Sequence, residues 1–204
     1  MELEFLAKGL ILGFAVAAPV GPIGLLCIRR SLALGVRHGF ATGLGAAVAD
    51  SLYGVIAGFG LSALSNILIA QQTWIRLIGG IFLAYLGVKT LLAKPASKEA
   101  KLETTSILSS FASSLFLTVT NPMTILSFAA AFAGLGLATE GGNYLASSML
   151  VLGVFLGSAA WWLILSSVSG FFRKKISTGA LAWINRVSGV LILAFACVAL
   201  FKVL

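Results

Sequence analysis

Residues 9–28 read GLILGFAVAAPVGPIGLLCI, a run without a single charge that carries Pro19 and Pro22 on either side of Gly21. About 20 apolar residues are what a helix needs to cross a hydrocarbon core about 30 Å thick. The prolines argue against a plain helix. Each lacks an N–H, and its ring clashes with the carbonyl four residues back. In lipid the freed backbone groups need partners, so such an interruption survives only when buried in protein or lining a polar cavity. The stretch therefore predicts a membrane helix broken at Pro19-Val20-Gly21-Pro22.

Composition extends this reading to the whole chain. Of 204 residues, 59% are hydrophobic and 10% charged, against about 45–50% and about 25% in an average soluble domain. There is too little polar surface to cover a water-facing exterior, which excludes a disordered chain, a soluble enzyme and a disulfide-stapled secreted domain. Cys27 and Cys197 lie in apolar stretches without metal-ligand or CxxC spacing, so neither a disulfide framework nor a zinc site is implied. The net charge of +8 does not indicate nucleic acid. Its basic residues fall in short clusters between uncharged runs, as in a multi-span membrane protein. Ala15-Val16-Ala17 resembles a signal cleavage site, but Glu2 and Glu4 occupy the place of a positive leader, and no cleavage is expected.

Six spans are predicted, near 5–28, 39–63, 74–93, 107–133, 144–171 and 181–203. Arg76 and Lys89 sit near the ends of the third, where long cations can reach the interface. The loop 29–38 holds Arg29, Arg30 and Arg37; the loop 94–106 holds Lys94, Lys98 and Lys101; the loop 173–180 holds Arg173, Lys174 and Lys175. The loops 64–73 and 134–143 hold no Lys or Arg. All three basic loops then share one side, which the positive-inside bias makes the cytoplasm, with both termini outside.

Offsetting the chain by about 100 residues lays Val20-Gly21-Pro22-Ile23-Gly24 over Thr120-Asn121-Pro122-Met123-Thr124, a figure that suits the inverted three-span repeats of secondary transporters. The predicted fold is an all-α polytopic membrane protein of six transmembrane helices in two inverted three-helix repeats, with helices one and four broken. Residues 1–93 form the first repeat, 94–106 a cytoplasmic linker and 107–204 the second repeat. Broken spans at matching places are the best sequence pointer to a transport site. Half-helix N-termini can face a substrate carboxylate there, and freed carbonyls a cation. The candidate substrate-binding residues are Asp50, Pro19, Gly21, Pro22, Thr120, Asn121 and Pro122, and Thr118 adds a further hydroxyl.

Asp50 is the one acid inside a predicted span. It lies about 16 Å in from the cytoplasmic end of span two and Pro22 about 10 Å in from that end of span one, so the two can be neighbours. An aspartate at mid-membrane costs about 2.5–3.5 kcal/mol on insertion scales, which makes a functional role the natural reading. It is the candidate for proton coupling and for pairing with a cationic substrate group.

Other features read as architecture. Gly39/Gly43, Gly54/Gly58 and Gly153/Gly157 suit close helix contacts, Trp74 and Trp183 suit interface anchors, and Trp161 and Trp162 suit the core, with one able to wall a cavity. No Walker loop, kinase glycine loop, HExxH or serine triad is present, so no enzymatic activity and no cofactor is expected. Uphill transport would draw on an ion gradient. The expected partners are a small-molecule substrate, protons and membrane lipid; the sequence leaves room for a homo-oligomer.

Pro19-Val20-Gly21-Pro22-Ile23-Gly24, Ala49-Asp50-Ser51, Trp74 to Gly87 with Gly79-Gly80 and Ala84-Tyr85-Leu86-Gly87, Asn121-Pro122 and Trp183-Ile184-Asn185 together resemble the lysine-exporter (LysE) type of amino-acid efflux protein over nearly the whole chain. The resemblance implies a bacterial inner-membrane exporter with six spans in two inverted halves, expelling amino acids by proton antiport. By position it implies that Pro22, Asp50, Asn121 and Pro122 line the pathway. Exporters of basic amino acids carry a polar pair after the span-one Gly-Pro; here the place is Ile23-Gly24, so the resemblance does not name the amino acid. A divalent-metal exporter of related architecture is the alternative. It would need several hard ligands, and Asp50 alone is too few, although Asn121, threonines and carbonyls could help. A non-transporting scaffold would leave the paired breaks and the acid unexplained.

Overall fold

The opening stretch folds as two helices, α1 (Glu2–Ala17) and α2 (Pro22–Leu34), bent by 81° across the Pro19–Pro22 segment. Gly21 takes an extended backbone and Pro22 opens α2, the position where its missing N–H costs nothing. The computed structural model describes residues 2–19, 21–58, 71–92, 106–121, 124, 127–128, 144–173 and 177–201. Its further helices are α3 (Val36–Gly58), α4 (Gln72–Leu91), α5 (Ile107–Val119), α6 (Tyr144–Phe172) and α7 (Thr178–Phe201), and no strand occurs among the described residues.

The protein is an all-α polytopic membrane protein. Helices α3, α4, α6 and α7 are each long and apolar enough to cross a bilayer, and α1 with α2 makes a fifth, bent crossing. Helix α5 is short at 13 residues, about 20 Å. It stops at Thr120, where the expected second break lies; helical residues recur at Thr124, Ser127 and Phe128. Pro122 and most of the rest of the expected span, to residue 133, lie outside the described residues, as do most of the loops 64–73, 94–106 and 134–143. The outward faces of α6 and α7 carry exposed Leu152, Leu156, Ile164, Val168, Val190 and Phe195, the surface that lipid wants. Trp74 and Trp183 are exposed near the starts of α4 and α7, as membrane-interface tryptophans are.

The structure corrects the expected loop 29–38. Helix α2 continues to Leu34 and α3 begins at Val36, so the connection is Gly35 alone, at φ 103°. That backbone region favours glycine, which has no Cβ to clash. Arg29 and Arg30 are therefore helical, and Arg30 is only 7% exposed. Hydropathy reads a pair of charges as a boundary; these two are accommodated because other helices supply their hydrogen-bond partners. Arg29 donates to Asn185 Oδ1 at 2.9 Å and Thr90 Oγ1 at 3.2 Å. Arg30 donates to Thr42 Oγ1 and the Ser110 carbonyl, both at 3.0 Å, and to Ser113 Oγ at 2.9 Å.

These bonds, with Arg173 donating to the Ala33 carbonyl, bring the ends of α2, α4 and α6 and the starts of α3, α5 and α7 to one end of the bundle. The three stretches read as basic loops start or finish there. Packing is close where glycines remove side chains. In α1, Gly9 and Gly13 abut Leu150 and Val154 of α6, in parallel sense. In α3, Gly43 abuts Trp162 and Asp50 meets Ser158, so α3 and α6 are antiparallel. Gly45 abuts Phe111, and Tyr53 bonds Val119, so α3 and α5 are parallel. Gly87 meets Leu193 and Gly189 meets Leu91, so α4 and α7 are antiparallel. By this chain of contacts α1 runs opposite to α5.

Candidate functional site

A cavity of about 80 Å³ sits at the α1–α2 break. Pro19, Gly21 and Pro22 border it from the break, Asp50 and Ala46 from α3, Trp162 from α6, and Thr118, Asn121 and Thr124 from α5 and the segment after it. Asp50 lies about 22 Å from Gly35 along α3, and Pro22 about 20 Å from it along α2. The longer α2 deepens both residues by similar amounts and keeps them level, which is why they meet.

Asp50 is 3% exposed. The Ser158 hydroxyl donates to its Oδ2 at 2.7 Å, and Trp162 Nε1 donates to Ser158 Oγ at 3.1 Å. No cation reaches the carboxylate: among the described residues the one ion pair is Lys8 with Glu4, on the exposed side of α1. Gly21 offers no side-chain cap to α2, and Ile23 and Gly24 in the first turn of that helix border the same cavity. The Asp50 carboxyl and a helix N-terminus, which carries partial positive charge, thus face one space. Beneath them, Tyr53 donates to the Val119 carbonyl at 2.6 Å, fixing the last turn of α5 where that helix stops.

Of the sequence-derived candidates, Asp50, Pro19, Gly21, Pro22 and Asn121 come together around the cavity. Thr120 does not border it. Its hydroxyl donates back to the Phe116 carbonyl at 2.8 Å, and the residue lies against Gly79 of α4. Pro122 is outside the described residues. Ser158, Thr124 and Tyr53 carried no advance signal, since such residues are common in membrane helices. Trp162, expected in the core, walls the cavity with part of its surface and reaches the acid through Ser158. No three of His, Cys, Asp and Glu gather among the described residues.

Apolar membrane-length helices, one of them broken beside a buried acid and a small cavity, define a polytopic membrane protein. The LysE type translocator family matches residues 14–202, and the chain belongs to that family. It is 28% identical to the "Putative amino acid efflux protein YcgF" of Bacillus subtilis (strain 168), over 91% of this chain and 90% of that protein. It is 31% identical to the leucine efflux protein of Salmonella typhimurium over 58% of this chain and 57% of that protein. An uncharacterized membrane protein of Synechocystis is 30% identical over 48% of each. No solved structure matches the chain.

Proposed function

We propose that this protein exports an amino acid from the cytoplasm across the bacterial inner membrane in exchange for an inward proton, with Asp50 as the group that alternates between the two. The observation that carries the reading is Asp50 itself: a buried carboxyl without a cation, at a helix break, on a cavity shared with a helix N-terminus. Its relatives' names support an amino acid as the cargo. The substrate ammonium would pair with Asp50 and its carboxylate would face the amides of α2.

Charge balance favours exchange. Moving one positive charge outward against the membrane potential costs about 2.3 kcal/mol per 100 mV. Returning one proton on the same carboxyl cancels that term and leaves the pH gradient as the drive. The cavity, at about 80 Å³, matches the liquid-volume share of only two or three waters, about 30 Å³ each. It is too small for an amino acid and must widen to admit cargo. The opposed directions of α1 and α5, and the parallel pairing of each with a helix of the other half, support two inverted repeats, 1–93 and 107–204, rocking about the cavity. The basic end would face the cytoplasm, with both termini outside.

The test is amino-acid exchange in proteoliposomes under an imposed pH gradient. Asp50→Asn is expected to remain folded and to lose uphill transport. Uphill transport by Asp50→Asn would end the coupling role.

A further inference from the structure

Away from the cavity, Arg30 is the other charged side chain that the described residues bury almost completely. Its three partners, Thr42 Oγ1, the Ser110 carbonyl and Ser113 Oγ, are all neutral. So are those of its neighbour Arg29, Asn185 and Thr90. Two adjacent guanidinium groups are thus held without a counter-charge, and a buried cation is fully compensated only by a paired anion. The planar guanidinium fork fits a carboxylate with two parallel hydrogen bonds.

The surroundings continue the same theme. The hydroxyls of Ser110 and Ser114 are buried at 0% exposure and have no protein hydrogen-bond partner. Ser110, Ser114 and Thr118 follow one another at intervals of four along one face of α5, and Thr42, Ala46 and Asp50 do the same on α3. The two helices lie side by side and parallel. Their far members, Thr118, Ala46 and Asp50, line the cavity; their near members, Ser110 and Thr42, hold Arg30. The track between is about 12 Å long. Arg30 can leave two of its acceptors without orphaning them, because Thr42 also donates to the His38 carbonyl and Ser113 to the Ser110 carbonyl.

We propose that Arg30, with the hydroxyls of Ser110 and Ser114, forms a carboxylate-binding subsite on the route between the basic end of the bundle and Asp50. It takes the α-carboxylate of the amino acid before the ammonium reaches Asp50. The inference rests on the exporter reading above and adds a second binding station to it. Gly45 lies against the Phe111 carbonyl, so the two helices are in close contact along the track; cargo at Arg30 would part α3 from α5 there.

The experiment is counterflow of labelled leucine in proteoliposomes, with unlabelled leucine or leucinamide, which lacks the anionic carboxylate, as competitor. The unaltered protein is expected to favour leucine over leucinamide by at least about tenfold, and Arg30→Gln to reduce that preference to about twofold. Arg30→Lys, which keeps the charge but not the fork, should fall between. An arginine that only braces the helices would slow both competitors' effects alike and leave the ratio intact, and an unchanged ratio in Arg30→Gln overturns the proposal. If Arg30→Gln fails to fold, Ser110→Ala/Ser114→Ala keeps the charge; its ratio should drop about threefold, and no drop overturns the proposal equally. Absence of counterflow in the unaltered protein, with leucine or any of the other common amino acids, would instead defeat the exporter reading.

Discussion

Ser158 Oγ donates to Asp50 Oδ2 at 2.7 Å, so the acid from the first half of the chain is held by a residue 108 positions further on, in the second. Trp162, one turn along α6, donates to the same Ser158 oxygen at 3.1 Å. The three side chains form one directed line, indole to hydroxyl to carboxyl. The hydroxyl is the link that lets an indole N–H stabilise the acid without touching it. Asp50 is thereby fixed on the α3–α6 contact, facing the break rather than lipid.

Ser158→Ala removes that link and leaves both the indole N–H and one carboxyl oxygen unmatched in a buried place. The cost of such orphaned groups is about 1–3 kcal/mol. Thermal unfolding of the purified protein should show a clear loss of stability, and amino-acid exchange should slow by about tenfold. Trp162→Phe removes the same donor together with part of a buried indole, so it should also lose stability, through the bond and through the space left behind. Equal stability of Ser158→Ala and the unaltered protein would show that the line has no energetic role.

Tyr53→Phe addresses the end of α5. The phenol donates to the Val119 carbonyl at 2.6 Å, and its ring lies 6.0 Å from Phe128. A helix end leaves its last carbonyls without partners inside the helix, and this hydroxyl supplies one for α5. Removing it is expected to cost about 1 kcal/mol and to lower exchange at unchanged expression. Hydrogen exchange at the C-terminal end of α5 should rise if the bond is made.

Much of this site was readable in the residues, and the reasons differ by residue. Pro19 and Pro22 act through their own covalent structure, so the break between α1 and α2 follows from sequence. Asp50 stands out because a charge in hydrocarbon is costly wherever it lies. Arg29 and Arg30 are equally costly, yet they read as a loop, because the partners that permit their burial come from α3, α4, α5 and α7 and carry no local signature. Thr120 was a reasonable candidate by its place beside Asn121-Pro122, but threonine can satisfy its hydroxyl on its own helix, and here it does. Ser158 lies next to Gly157, a glycine legible only as a contact point; which neighbour meets the serine is settled by how α3 crosses α6.

The glycine pairs separate in the same way. A Cβ at Gly157 would run into the Leu10 carbonyl and come within 2.9 Å of the Phe14 nitrogen, both fixed backbone of α1. At Gly54 the nearest atoms are valine methyls at 3.7 Å or more, ordinary contact distance. Gly157→Ala should therefore separate α1 from α6, with a loss of about 1–3 kcal/mol and a sharp fall in monodisperse protein on size exclusion. Gly54→Ala should be tolerated, changing stability by less than about 1 kcal/mol. Equal behaviour of the two variants would mean that the α1–α6 contact is looser than this spacing requires.

In the proposed exporter, orientation decides in which order cargo would meet Arg30 and Asp50, and one exposed residue can report it. Ser177 precedes α7 at the basic end, close to Arg173, and is exposed. Ser177→Cys, on a background of Cys27→Ala and Cys197→Ala, gives that end a single thiol. The positive-inside bias puts it in the cytoplasm, so a membrane-impermeant maleimide should label it in inverted vesicles and not in intact cells. Labelling in intact cells would place the basic end outside. Exported cargo would then leave past Arg30 instead of arriving by it, and the guanidinium would act as a release station on the far side of the acid.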